Sequence, residues 1–401
     1  MALPLEGVVV ADVTQNVAGP FCAQILGDMG AEVIKVEHPA RGDDARAWAP
    51  PWWGDESAVF MALNRNKRSL ALDLKHEAGL VVLKRLVARA DVFVQSLRAG
   101  VVSSLGLDYA GATALNPRLV YCSITAFGTR GPLADRPGYD PLMQAYGGLM
   151  SINGHPGGEP ARVGTSIVDM GTGMWAALGI VAALRERDAT GHGVEVTTAL
   201  FETALMWVSY HAMGWFGSGD VPEPQGSGTA MIAPYQAFRA ADGYVMIAAG
   251  SDALFARLAA ALGSPELARD PRFVDNPSRV TNRAALVDAL TDLTSSRKAA
   301  DLLEALRVAG VPSAPILRVD QVMGEAQTRE SGMVIAAPHP RHADYRSIGL
   351  PVQWDSARPA VRRVPPRLGE HDADVLTWLG YTLDDIRGMR ERGVLSRVPK
   401  T

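Results

Sequence analysis

The stretch VGTSIVDMGTGMWAALG, Val163 to Gly179, sets a single carboxylate, Asp169, in front of an apolar run studded with small residues. An aspartate at a helix start has a structural use, because its oxygens accept backbone N–H groups and its charge suits the helix dipole. It also has a chemical use: an ionised carboxylate attacks an activated acyl carbon while nearby N–H donors stabilise the oxyanion that forms. Gly171 and Gly173 bear on the choice. Each costs a helix about 1 kcal/mol against alanine, and the absence of side chains there would let a ligand approach the backbone. Other reactive groups are sparser. HPRH, His339 to His342, places two imidazoles in a Pro/Arg loop without an adjacent Cys or acidic partner, which reads as surface and not as a metal pair. Gly191 to Gly193 reads as a turn, and no GxSxG elbow for a serine nucleophile occurs.

The elements that must position Asp169 follow from apolar period. GVVVADV reads as a strand, GPFCAQILGDMG as a helix and AEVIKVEH as a strand, a βαβ unit at the amino terminus. Its loop, TQNVAGPF, has one glycine where a dinucleotide fingerprint needs three, so a nicotinamide or flavin is not indicated despite Glu37 at the end of the second strand. SLALDL, DVFVQSL and LVYCSITAFG continue the strands, with HEAGLVVLKRLVARA an amphipathic helix between the first two. The Gly/Pro-rich segments GTRGPLADRPGYD and NGHPGGEPARVG are loops, which puts Asp169 after a loop and near a helix start. Beyond it, VEVTTALFETALMWVSYHAMGWF reads as a short strand and one long helix. GSGDVPEPQGSGTA is a linker, followed by a strand pair turning at ADG and helices around LFARLAAALG, RAALVDALTDL and KAADLLEALRVAG. The tail from Met333 reads as loops, strands and a last helix returning to the first domain.

Length and composition bound the function. The 401 residues are 47% hydrophobic and 20% charged, an ordinary soluble profile too long for one core. A net charge of -4 without a basic run argues against a nucleic-acid partner. Cys22 and Cys122 lack pairing or metal-ligand spacing and read as reduced and buried, which suits a cytoplasmic protein. The start, MALPLEGVVVADVTQ, has neither a signal-peptide nor an anchor pattern. Met170 to Leu184, the longest apolar run, falls short of the roughly 20 residues that span a bilayer and reads as a buried helix, so no membrane partner is expected.

Taken together, TSIVDMGTGMWAALGIVAAL, GPFCAQILGDMGAEVIKVEHP, NRNKRSLALDLK, CSITAFGTRGPLADRPGYD and DPRFVDNPSRVTNR resemble the class III CoA-transferases, the carnitine/formyl-CoA transferase group, in order from about residue 4 to residue 395. The resemblance implies an α/β fold with a Rossmann-like large domain (residues 1–216 and 335–401) and a smaller α/β domain (231–320). The two are joined by linkers at 217–230 and 321–334, in an interlocked homodimer. It implies no permanently bound cofactor, coenzyme A and acyl-CoA being substrates, and no metal.

Residue by residue, the resemblance places Asp169 on the catalytic aspartate, which forms an aspartyl anhydride and then an aspartyl-CoA thioester. Tyr139 and Asp140 fall on active-site positions, and Gly226 and Gly228 on a mobile loop that closes over the intermediate. Val17, Ala18, Leu72, Lys75 and Arg98 fall on CoA-binding positions; for Lys75 a solvated strand-end lysine is the other reading. QSLRAG replaces the common ENFRPG, and Ser104 stands where many members carry Arg, which leaves phosphate contacts at Ser96 and Ser104 open. EHPARGDDARAWAPP and PYQAFRAADGY look most like members that use dicarboxylic acids, with succinyl-CoA or a related dicarboxyl-CoA as donor. A second carboxylate wants a cation, and Arg46 or Arg41 would supply it by bidentate pairing. Two alternatives stand beside transfer. One is an α-methylacyl-CoA racemase, which would need a histidine where this chain has Tyr139, a phenol with an unperturbed pKa near 10. The other is a non-catalytic CoA-binding protein.

Overall fold

Strands buried on both faces read as continuous apolar runs, and VVAD, VFVQ and VYCSIT each take that place in a six-stranded sheet. The computed structural model describes residues 3–396. Its large sheet is built from β1 (Val9–Asp12), β2 (Glu32–Glu37), β3 (Lys67–Ala71), β4 (Val92–Gln95), β5 (Val120–Thr125) and β6 (Glu195–Ala199). The spatial order is β3-β2-β1-β4-β5-β6 and every pairing is parallel, with Val10 opposite Val33 on one side and Val92 on the other. This is the doubly wound order. Its direction reverses between β1 and β4, and ligands of such sheets bind outside the carboxyl ends of the strands at that switch point.

The chain divides into two compact units. The first runs up to Gly148, resumes over Val163–Ser209 and again from Ala326; the second is Leu149–Arg162 with Tyr210–Glu325. In the first, helices α1 (Ala18–Asp28), α2 (Glu77–Arg89), α3 (Asp140–Tyr146), α4 (Ile167–Thr190) and α5 (Leu200–Trp207) accompany the sheet. The tail adds Asp372–Trp378 and Leu383–Glu391, whose Val375, Leu376 and Ile386 join the core around Leu83, Leu86 and Phe93. The second unit has an antiparallel sheet of Tyr235–Ala240, Gly243–Ala248 and Ser313–Pro315, with Phe238, Val245, Phe255, Leu286 and Leu302 in its own core.

Three features differ from the sequence expectation. Residues 149–162 go with the second unit, where the Gly226 N–H donates to Gly154 O at 2.8 Å. The change of unit after α5 falls at Ser209 and Tyr210 and not at residue 217. The single helix expected after VEVTTA breaks at Val208, whose N–H is shared among the Ala204, Leu205 and Met206 carbonyls, and restarts as Ser209–Ser218. Helix α4 runs past its apolar stretch to Thr190, at 24 residues. Among the described residues it is the one helix long and apolar enough to cross a membrane, yet half of that span is buried inside the fold.

Candidate active site

Asp169 lies in the first turn of α4 and is half-buried. Neither of its carboxylate oxygens has a hydrogen-bond partner among the described residues, while its N–H donates to Asp140 Oδ1 at 3.2 Å. Asp140 is fully buried at the start of α3 and also accepts the Val168 N–H at 2.8 Å. Ser166, the residue at the helix cap, makes no side-chain cap bond, so Asp140 caps α4 from another helix. Gln144 completes the frame: its Nε2 donates to Asp140 Oδ2 at 2.6 Å and its Oε1 accepts the Val163 N–H at 2.8 Å. Burial, and then the nearby charge of Asp140, raise the Asp169 carboxyl to about 7. Two carboxylates with different tasks result, one tied into the fold and one left unsatisfied.

Two expectations about this turn are corrected. The N–H groups at the head of α4 are already used, Ile167 on Thr165 O, Val168 and Asp169 on Asp140, and Met170 on Ser166 O. They are not free to hold an oxyanion. The glycines serve packing and not ligand approach: a Cβ on Gly171 would stand 2.5 Å from the Trp207 ring, and one on Gly173 would stand 2.5 Å from the Ala18 carbonyl of α1. Tyr139 immediately precedes α3 and is 52% exposed, beside the Asp140 frame.

The residues assigned to CoA gather at the carboxyl edge of the sheet. Val17 and Ala18 follow β1 and open α1, both buried. Leu72 follows β3 with its side chain in the core and its N–H on Glu37 O at 2.7 Å. Lys75 and Arg98, after β3 and β4, are exposed, and neither side chain has a partner among the described residues. Ser96 is half-buried after β4, and Ser104 turns its hydroxyl to Val101 O at 2.7 Å. Gly226, at φ 63, and Gly228 lie in the second unit, the latter in a turn closed by its N–H on Gln225 O at 3.0 Å.

Arg46 does not fit its expected role. Its Nε and one terminal nitrogen pair with Glu37 at 2.7 and 2.8 Å, the same nitrogen reaches Pro366 O, and the guanidinium lies 3.7 Å over the Phe60 ring. Burial alone would raise Glu37, but the Arg46 guanidinium and Lys35 hold it down at about 2. Arg41 is exposed and without a partner among the described residues. The histidine pair is also corrected, since Glu56 supplies the acidic partner. His342 Nε2 sits 2.8 Å from Glu56 Oε2, and Arg341 pairs with the other oxygen. His339 Nδ1 accepts the Arg341 and His342 N–H groups at 3.2 Å each, which puts its proton on Nε2 and removes the lone pair a metal would need. Sequence reasoning missed a buried network beneath the first loop, of Asp12, Lys35, Asp43 and Lys67. The available signal was a charge inside each of the apolar strands VVAD, EVIKVE and KRSLA.

The chain matches the family described as CoA-transferase family III over residues 5–372. It is 36% identical to the succinyl-CoA:glutarate CoA-transferase of Homo sapiens over 93% of this chain and 85% of that protein. It is 40% identical to the acetyl-CoA:oxalate CoA-transferase of Acetobacter aceti over 83% of this chain and 85% of that one. A crystal structure of a CAIB/BAIF family protein from Brucella suis superposes with a TM-score of 0.84 at 39% identity, covering 94% of this chain and 100% of that one. An unsatisfied carboxylate near a doubly wound sheet, and a family match across nearly the whole chain, lead to one assignment: the chain belongs to CoA-transferase family III and is a CoA-transferase enzyme.

Proposed function

We propose that the protein moves CoA between a dicarboxyl-CoA donor, succinyl-CoA or a close relative, and a carboxylic acid acceptor, with Asp169 as the covalent nucleophile. The observation that carries the reading is the half-buried carboxylate of Asp169, without a hydrogen-bond partner and raised to about 7, on a turn fixed by Asp140. Ionised, it attacks the thioester carbonyl; the C–S bond breaks, CoA leaves as thiolate, and a mixed anhydride remains on Asp169. The thiolate attacks the Asp169 carbonyl of the anhydride and expels the donor acid, leaving an aspartyl-CoA thioester. The acceptor carboxylate then displaces the thiolate to give a second anhydride. Attack of the thiolate on the acceptor carbonyl releases the new acyl-CoA and regenerates Asp169. A weakly solvated carboxylate suits this work, because few hydrogen bonds must break before it attacks.

Lys75 and Arg98 would meet the phosphates of CoA, and Arg41 the distal carboxylate of a dicarboxylic acid. Succinyl-CoA-dependent relatives with glutarate, D-citramalate and L-malate in their names support the dicarboxylate. In the working form a second copy covers the first unit. Leu142 and Tyr146 of α3, Met174 and Leu178 of α4, and Leu205 and Met206 of α5 are all 46% exposed or more, an apolar surface larger than scattered solvent-facing residues need. The cytoplasmic location agrees with two buried free thiols, Cys22 and Cys122.

The test is intact-protein mass after incubation with succinyl-CoA and a hydroxylamine or borohydride trap, comparing wild type with Asp169→Ala. A trapped adduct on Asp169, absent from the variant, is the expected result. No adduct with a panel of acyl-CoAs, together with solvent exchange of the α-proton of a branched acyl-CoA, would replace transfer with racemisation.

A further inference from the structure

Beneath the β1–α1 loop, one buried carboxylate has no part in the chemistry above. Asp43 is 1% exposed. Its Oδ1 accepts the Asn16 N–H and the Ala45 N–H, each at 2.9 Å, and its own N–H donates to Glu37 Oε2 at 3.0 Å. Its Oδ2 lies 2.7 Å from Lys35 Nζ, both side chains being shut off from solvent, and the same ammonium donates to Thr14 O at 2.9 Å. Residues 14 and 16 of the loop that leaves β1 at the switch point are thus both held by charges rooted in β2 and the segment after it.

Asn16 takes φ 71, a left-handed conformation that few non-glycine residues adopt and that asparagine tolerates better than most. A buried ion pair is a poor source of stability compared with apolar packing, because both charges must leave water. It does fix one geometry. The geometry fixed here is that of the loop carrying Val17 and Ala18. Opposite it, Thr14 is held by Asp12 through Oγ1 at 2.5 Å and through its N–H at 2.9 Å, so the loop is anchored from two sides.

We propose that Asp43 is a positioning residue for coenzyme A: it holds Asn16, and through it the β1–α1 loop, in the one backbone conformation that receives the CoA chain. The inference rests on the CoA-transferase reading of that loop. Asp43 touches neither thioester nor acid, so its removal should act on CoA affinity and leave acyl transfer at saturation intact.

The test uses the full chain with both buried charges removed, since either one alone would be left unpaired in the interior. Lys35→Met combined with Asp43→Asn keeps an oxygen for the Asn16 and Ala45 N–H groups; Lys35→Met combined with Asp43→Ala does not. Calorimetric titration with CoA itself and steady-state turnover of succinyl-CoA are measured on both. The alanine combination should bind CoA about tenfold or more weakly than the asparagine combination, with KM for the donor rising in step and kcat within about twofold. Equal CoA affinity in the two, or a parallel loss in kcat, would overturn the inference and leave Asp43 a structural residue. If the alanine combination does not fold, Asn16→Val, which disfavours positive φ without touching Asp43, should weaken CoA comparably; unchanged affinity there also overturns it. Wild type that fails to bind CoA would take down the reading of the loop and this inference together, whereas bound CoA with indifferent variants removes the inference alone.

Discussion

Replacing Asp169 with asparagine should stabilise the protein at alkaline pH while abolishing its covalent chemistry. The carboxyl is raised from 3.8 to about 7 by burial and by Asp140. A group whose folded pKa lies above its unfolded value binds its proton more tightly in the native state, so ionised Asp169 opposes folding. The penalty is absent below about pH 4, grows between pH 4 and 7, and is complete above 7. At about 1.4 kcal/mol per unit, a shift of this size is worth up to about 4 kcal/mol, and partial solvation of a half-buried group brings the expected figure to about 2–4 kcal/mol. Asparagine is nearly the same size and carries no charge, and neither oxygen of Asp169 has a hydrogen bond to lose among the described residues.

Urea denaturation of wild type and Asp169→Asn at pH 4, 6, 7 and 8 reads the difference directly. It should be near zero at pH 4 and reach its full value by pH 8. Asp372 is also raised to about 7, by burial, but it is present in both proteins and cancels from the difference. A pH-independent difference, or a variant less stable than wild type at pH 8, would refute the electrostatic argument and with it the picture of a carboxylate held out of water. In wild type, kcat/KM for the acyl-CoA should rise through about pH 7 as the nucleophile ionises.

Asp140→Asn removes the like charge facing Asp169, so the acid limb of that pH profile should move to lower pH, at the cost of a weakened cap on α4 worth about 1 kcal/mol; an unmoved limb would count against the coupling. Gly173→Ala forces a Cβ to within 2.5 Å of the Ala18 carbonyl, and should lower stability by about 1–3 kcal/mol in thermal unfolding because helix α1 or α4 must shift. Arg46→Ala should cost up to about 3 kcal/mol by taking from the buried Glu37 carboxylate its paired cation while Lys35, Ser69 and the Asp43 N–H remain, and should impair dicarboxylate and monocarboxylate acceptors alike. Arg41→Ala, by contrast, should raise KM for the dicarboxylate alone, and equal KM changes for both acids would remove its role.

Much of this arrangement is readable from residues alone. Strands buried on both faces leave largely apolar runs, so β4 and β5 stand out, as do β1 and β2 despite Asp12 and Lys35, and the lone charge of Asp169 stands out against the run behind it. Its cap does not, because Asp140 is 29 residues away and nothing local marks the pairing. Arg46 looked free for a substrate because its partner lies nine residues back across a turn, at the end of β2. The Gly/Pro loop from Asn153 carries no apolar period, and a backbone bond from Gly226 to Gly154 is indifferent to side-chain type. Lys35 and Lys67 were legible in principle: a lysine in a strand buried on both faces must find an anion.

The tail of the first unit has a consequence for how the chain is made. Asp372 is buried and accepts the Ala71 N–H at 2.8 Å across 301 residues of sequence, just where β3 ends. At a synthesis rate of about 5–20 residues per second, the ribosome delivers Asp372 some 15–60 s after the strand it completes. For that interval the edge strand of the large sheet lacks both its cap and the apolar helix Asp372–Trp378, while Tyr210–Glu325 has already emerged. The half that is translated first therefore cannot be finished first. A nascent chain stalled before residue 372 should expose β3 to proteases and chaperones even when its middle portion is native.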